Sequence, residues 1–265
     1  MPLGDIPFRE ELTSKTIDLF RHMADVNFSC MSKARIIEAV MNLDLQSTKA
    51  LLKEKPSLLN VTDRQGRNLL HLACSASCEK LKMPEAASAR MTTFLLDRGM
   101  DIDVPVGPDA CTALFFAVAR ARNQTLIKLL LMRGAKVMSA PGGGLYAAGW
   151  WEDLENLQLL IRAGAQIDNV HTEGSQTSTP FLACWCWKRF DAAKFLALNG
   201  ANVNFQDHKG RTALHHGLEK EFDPGLLKWL VQHGASPDIA AHDGISARLK
   251  ASRKRDKRFH EALST

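Results

Sequence analysis

Two short patterns recur in fixed phase along the chain, and that period restricts the fold more than any other feature of the sequence. The first is an apolar run closing on glycine: FLLDRGMDID ending at Asp103, LLMRGAKV at Val137, LLIRAGAQID at Asp168, LALNGANVN at Asn204 and WLVQHGASPD at Asp238. Its glycines, Gly99, Gly134, Gly164, Gly200 and Gly234, lie 35, 30, 36 and 34 residues apart. The second precedes each glycine: NLLHLAC (68–74), TALFFAV (112–118), GGLYAAG (143–149), TPFLACW (179–185) and TALHHGL (212–218). Self-similarity at a period of roughly 20–50 residues is the signature of stacked repeats. Each unit reads as two short helices: Thr or Asn caps the first, and the second ends at a glycine suited to the left-handed conformation past a helix terminus. Isolated helices below about 12–15 residues are marginal, so the units are expected to stack.

These residues resemble the ankyrin-repeat family, whose signature runs D-x-x-G-x-T-P-L-H-L-A-A, then a second helix, then L-L-x-x-G-A-D-V-N. DHKGRTALHHGL (207–218) with GASPD behind it matches best, DRQGRNLLHLAC (63–74) is close, and TPFLACWCWKRFDAAKFLALNGANVN (179–204) keeps register throughout. The resemblance implies an all-α solenoid of about six to seven helix-turn-helix units with hairpin-like connecting fingers. It covers residues from about 33 to 263, within an expected ankyrin-repeat domain of residues 31–265, with units at about 33–62, 63–104, 105–138, 139–168, 169–204, 205–238 and 239–263. The first and last units are atypical and more polar, as the open ends of a stack require. Residues 1–30 lie outside the array, and Phe8, Leu12, Leu19, Phe20 and Met23 suggest an amphipathic capping helix there. The resemblance also assigns His71 and His215 to a slot whose ring ties adjacent loops by hydrogen bonds.

The departures from regularity carry information. From cap to glycine the count is 21 residues in the units starting at Gly143 and Thr179, 22 in those starting at Thr112 and Thr212, and 31 in the one starting at Asn68. The surplus falls within SASCEKLKMPEAASAR (75–90), between two helices, where insertion is tolerated. The finger between Gly134 and Gly143 is short, and that between Gly164 and Thr179 is long.

The repeat register also interprets FLACWCWKRF (181–190), in which two cysteines and two tryptophans interleave. A C-x-C pair supplies only two of the four ligands of a structural zinc. The sixth residue of each first helix is Ala73, Ala117, Ala148, Cys184 or Gly217, always small, as close helix approach demands, so Cys184 reads as a buried stand-in for alanine. The seventh varies, and the large Trp185 is expected to fill the space that Gly149 vacates one unit earlier. The eighth and ninth positions, which the resemblance places on the concave surface, hold Trp150-Trp151 and Cys186-Trp187 in adjacent units, with Arg120, Arg189 and Lys220 around them. Tryptophan and arginine dominate binding hot spots. A partner-binding site at Trp150, Trp151, Cys186, Trp187, Arg120, Arg189 and Lys220 is therefore expected. The other reading folds these rings onto APGGG (140–144) or NVHTEGSQTST (169–179). Trp229, on a second helix, reads as core.

Composition narrows the function classes. With 45% apolar and 24% charged residues the chain resembles ordinary soluble proteins. It has no apolar run of 18 residues and no secretory n- and h-region, so a cytoplasmic address is expected, with delivery into another cell left open. The six cysteines show no paired framework, consistent with a reducing compartment. The formal charge of +5 is uneven: RLKASRKRDKR (248–258) alone carries seven bases, readable as a solvated end face, an import signal or a phosphate-binding patch. No H-E-x-x-H, G-x-S-x-G or phosphate-loop motif occurs, and adjacent His215 and His216 point apart on a helix, so neither catalysis, metal nor cofactor is expected. The function expected is non-catalytic protein–protein interaction by a monomer, as an effector, inhibitor or adaptor. The alternative is a sensor of a nucleotide, another anionic ligand or nucleic acid, using the Trp/Arg/Lys groove or the basic segment.

Overall fold

The structure is a computed structural model that describes residues 31–137, 144–173 and 175–264. The expected capping helix within residues 1–30 and most of the short finger, 138–143, lie outside the described residues. The helices are α1 (31–41), α2 (Leu45–Glu54), α3 (Leu69–Ser75), α4 (Ala86–Leu96), α5 (Ala113–Phe116, continued by a π-type turn Ala117–Ala121), α6 (Gln124–Met132), α7 (Gly144–Trp150), α8 (Leu154–Arg162), α9 (Pro180–Cys186), α10 (Phe190–Leu198), α11 (Ala213–Glu219), α12 (Pro224–Gln232), α13 (Ala247–Ser252) and α14 (Lys257–Ala262). First helices pack in the order α3, α5, α7, α9, α11, α13, and each packs on its own second helix. None is long and apolar enough to cross a membrane.

Local chemistry fixes each unit. Asn68, Thr179 and Ser246 accept backbone N–H bonds at the starts of α3, α9 and α13, satisfying donors that a helix start otherwise leaves free. In α3 and α11 the cap is reciprocal: the Nδ1 atoms of His71 and His215 accept from the backbone N–H of Asn68 (3.2 Å) and Thr212 (3.1 Å). That acceptance puts the proton on Nε2, which donates to Val104 O at 2.8 Å and Ile245 O at 3.0 Å, in the finger of the next unit. These histidines therefore tie successive units together as the resemblance implies. Burial lowers the His71 pKa and keeps its ring neutral for this role.

The finger turns follow one design where the sequence repeats D-x-x-G-R. Asp63 accepts from the N–H of Gln65 and of Arg67, and Asp207 accepts likewise from Lys209 and Arg211. Gly210 has a φ of +74°, and a Cβ there would stand 2.7 Å from the backbone nitrogen of His242, so the neighbouring finger closes against bare backbone. The lengthened finger becomes a true hairpin, β1 (His171–Glu173) against β2 (Gln176–Ser178), with His171 opposite Ser178. The surplus residues between α3 and α4 bury Cys78 and are held by the next unit, because the Asn123 side-chain amide donates to Glu85 O (3.0 Å) and Ser88 Oγ (2.9 Å).

The core confirms the small sixth position and corrects the seventh. Ala73, Ala117, Ala148 and Cys184 are fully buried. A Cβ on Gly149 would lie 2.3 Å from Cys184 Sγ, so the thiol, not Trp185, occupies the space beside Gly149. Consecutive helix residues point about 100° apart, and Trp185 therefore faces the other way. Its indole donates to Ala213 O at 2.8 Å, in the following unit, and packs edge-on against Phe190 and Phe222. Trp229 is half-buried and packs against the core from its edge, stacked on His233 with ring centres 3.8 Å apart.

Candidate functional site

The turn from first to second helix decides which tryptophans meet solvent. In successive units it passes through a left-handed residue, Arg122, Glu152, Lys188 and Glu221. The residue just before each, such as Trp151 or Trp187, is thus held at the last turn of a first helix. Trp150, Trp151 and Trp187 are 43%, 46% and 39% exposed, whereas Trp185 is fully buried.

The three exposed rings do not form one cluster. Trp150 and Trp187, from adjacent units, meet edge to face with centroids 5.0 Å apart, and Trp187 also approaches Tyr146 at 6.5 Å. The Arg189 guanidinium lies 5.1 Å above Trp150. Trp151 turns toward the preceding unit: its indole donates to Ala119 O at 3.3 Å and its ring lies 4.8 Å beneath the Arg122 guanidinium. Arg120 is exposed, and it is Arg122, which the sequence did not single out, that covers Trp151. The left-handed turn at Arg122 sends that side chain toward the next unit.

The remaining expected residues divide by role. Lys220 Nζ donates to Cys186 O at 2.8 Å, a cation on the carbonyl end of α9, where the helix dipole favours it. Cys186 is half-buried, and burial pushes its thiol up to about 11, while Cys184 is pushed up to about 12. Both stay protonated near neutral pH, so neither is a ready nucleophile or metal ligand. Among the described residues no group of three or more His, Cys, Asp and Glu side chains is placed to hold a metal ion.

Beside Trp187 a cavity of about 440 Å³ spans three units. Its walls are Tyr146 of α7, the β1–β2 hairpin, the end of α9, the finger at 207–211 and His216 of α11. Tyr146 fastens the hairpin: its hydroxyl lies 2.8 Å from Ser178 O and 3.0 Å from Asn169 O, and accepts from the His171 N–H at 3.2 Å. Tyr146 is the only tyrosine in the chain and stands one turn before Trp150. That i, i+4 spacing puts the two on one helix face and was the available signal that it belongs to the site.

Asp207 organises the far wall. Burial opposes its ionisation, yet bonds from the Arg211 backbone and guanidinium, the Lys209 N–H and the guanidinium charge hold its pKa at about 2. His216 Nε2 completes the set at 3.0 Å from Asp207 Oδ2. Burial, then the nearby Arg211 charge, lower the His216 pKa despite Asp207, so the ring is neutral near pH 7. Arg211 also reaches Glu219, which pairs with Lys250 of α13.

Most of the chain matches a known family: residues 36–140 and 145–242 fit the model described as ankyrin repeats in three copies. The probable 26S proteasome regulatory subunit p28 of Saccharomyces cerevisiae is 25% identical over 243 residues, covering 86% of this chain and 98% of that protein. The phosphocholine transferase AnkX of Legionella pneumophila is 22% identical over 87% of this chain, but the match covers only 24% of AnkX. Among solved structures, the ankyrin repeat domain of Bcl-3, of the IkappaB protein family, aligns with a TM-score of 0.71 at 22% identity, covering 87% of this chain and 98% of that one. The human ASB11 ankyrin repeat domain aligns with a TM-score of 0.63 at 21% identity, over 86% and 95%. At such identities the structural likeness concerns the fold.

Proposed function

The chain belongs to the ankyrin-repeat family, and we propose that it is a non-catalytic module binding another protein in the groove between its first helices and its fingers. The observation that carries this reading is the exposed edge-to-face pair Trp150–Trp187, set beside a 440 Å³ cavity and flanked by bases. Exposed indoles are large, stiff and amphipathic, so covering them gains area at small entropic cost. Trp150 and Trp187 form the central anchor, with Trp151 a second contact toward the preceding unit. Cys186 contributes to the cavity wall, while Arg120, Arg189 and Lys220 orient the partner. Among the described residues none of these three bases has an ion-pair partner; Lys220 is bonded to Cys186 O and Arg189 covers Trp150, and no described acid of this chain offsets their charge.

Charge placement also weighs against the nucleic-acid alternative. In the basic run, Arg248, Lys250, Lys254 and Arg258 are each bridged to an acid of this chain, Asp238, Glu219, Glu221 and Asp256 respectively. Their field is thereby partly cancelled at short range.

The test is affinity capture from the native source, then calorimetry with the recovered partner. Replacing Trp150 and Trp187 together by Ala is expected to weaken binding by roughly 100-fold or more with the thermal transition retained. A folded double variant that binds like the wild type refutes the site. A binding constant that falls steeply with salt and needs no protein partner would support the nucleic-acid reading instead.

A further inference from the structure

Three of the four buried side-chain polar atoms that lack a hydrogen-bond partner among the described residues gather at this groove. His171 Nδ1 and His208 Nδ1 belong to rings lining the cavity, and Arg189 Nε belongs to the guanidinium above Trp150; the fourth, Asn156 Oδ1, is on α8. Orphaned polar atoms are few in native folds and costly, and their concentration at one place calls for a physical cause. The cavity's charges suggest one. Its single acid, Asp207, is already engaged by Arg211, His216 and two backbone N–H groups. Arg211 is spent on Asp207 and Glu219. Lys209, exposed on the finger, has no acid partner among the described residues, so it is the one lysine or arginine of the cavity wall left without one. The opposite wall is apolar, made by Leu182, Ala183 and Trp187.

The geometry points to an acidic occupant: the cavity receives an Asp or Glu side chain of the partner protein. Its carboxylate lies between Lys209 and the imidazoles of His208 and His171, and a neighbouring apolar side chain of the same segment lies on Trp187 and Trp150. This rests on the binding reading above and specifies the partner's chemistry. A monoanion matches one lysine without an acid partner beside two imidazole rings. A phosphate dianion asks for uncommitted arginine or a row of backbone N–H groups, and here the cavity's arginine is neutralised by its own aspartate.

The test is selection of a random dodecapeptide display library on the immobilised full chain, with wild type and variants in parallel. Wild type is expected to enrich peptides carrying Asp or Glu beside an aromatic or aliphatic residue. The finger-tip variant Lys209→Glu should reverse the preference toward Lys or Arg and weaken the selected acidic peptide by roughly tenfold or more. Lys209→Ala should give an intermediate loss, and matching thermal transitions identify the variants that fold. Enrichment of peptides without acids, acidic enrichment indifferent to Lys209→Glu, or no enrichment at all overturns the acidic pocket. So does AMP or inorganic phosphate binding the wild type more tightly than the best selected peptide. Enrichment of purely apolar peptides that Trp187→Ala abolishes would sink this inference while leaving the groove-binding function standing. Loss of native-partner binding only in the tryptophan variants would separate the two in the same way.

Discussion

Trp185 and Trp187 stand two residues apart on one short helix, yet they belong to opposite kinds of aromatic cluster. Trp185 is sealed among Phe181, Phe190 and Phe222 and spends its indole N–H on Ala213 O. Trp187 lies at the helix end with Trp150, Tyr146 and a cavity for neighbours, and 39% of its surface stays open. The first ring fastens unit to unit; the second has large apolar area left to cover. Side-chain type is the same in both, so the difference comes from angular position on the helix and from what the next unit places opposite.

The contrast can be attacked in order of expected effect. Replacing Trp185 by Ala opens a cavity in the core and should cost about 3–5 kcal/mol, read from urea midpoints; a cost below that of Trp187→Ala would erase the distinction. Gly149→Ala drives a methyl against Cys184 Sγ and should cost about 1–3 kcal/mol. Adding Cys184→Ala should recover part of that loss, and simple additivity of the two changes would show that residues 149 and 184 do not meet.

Acid should loosen the far wall of the open cluster before neutral pH changes anything. The folded His216 pKa lies below its ordinary 6.5, so unfolded chains take up that proton first, and stability should decline as pH falls through about 6.5. Asp207, held at about 2 against 3.8, contributes stability that is complete above pH 3.8 and is lost between there and about 2. Urea midpoints from pH 8 to pH 2 should show both declines. Asp207→Asn should remove the lower one, and an unchanged profile would mean that this wall carries no net charge coupling.

Trp187→Ala itself should lower stability by about 1–2 kcal/mol, the order of its two edge-to-face contacts, while removing partner affinity. A loss comparable to that of Trp185→Ala would make the exposed ring a structural one. Smallest of all, replacing Arg253, Arg255 and Lys257 by Ser should shift stability by no more than about 0.5 kcal/mol and leave groove binding intact. A large loss of binding would move the functional charge from the groove to the terminal run.

What the sequence settled by itself is whatever depends on near neighbours along the chain. The in-phase glycines, the Asn and Thr caps and the capping side of the histidine slot all act within one helix or its adjoining turn. Their local conformations are dictated by φ, by capping bonds and by helix period, and the ankyrin stack follows because short helices need one another's apolar faces. The placement of Trp150 and Trp187 at helix ends was legible for the same reason.

Tertiary structure alone decided relations between units. The 440 Å³ cavity draws on residues 146, 171, 177, 187, 209 and 216, which no spacing rule joins. Two bases of the terminal run are neutralised by acids about 31 to 33 residues away, Lys250 by Glu219 and Lys254 by Glu221. Trp151 separated from Trp150 because a carbonyl and an arginine of the preceding unit met it first. Across units, distances are set by helix packing and finger length, quantities summed over many side chains, so equal letters in the repeat acquire unequal surroundings only when the stack closes.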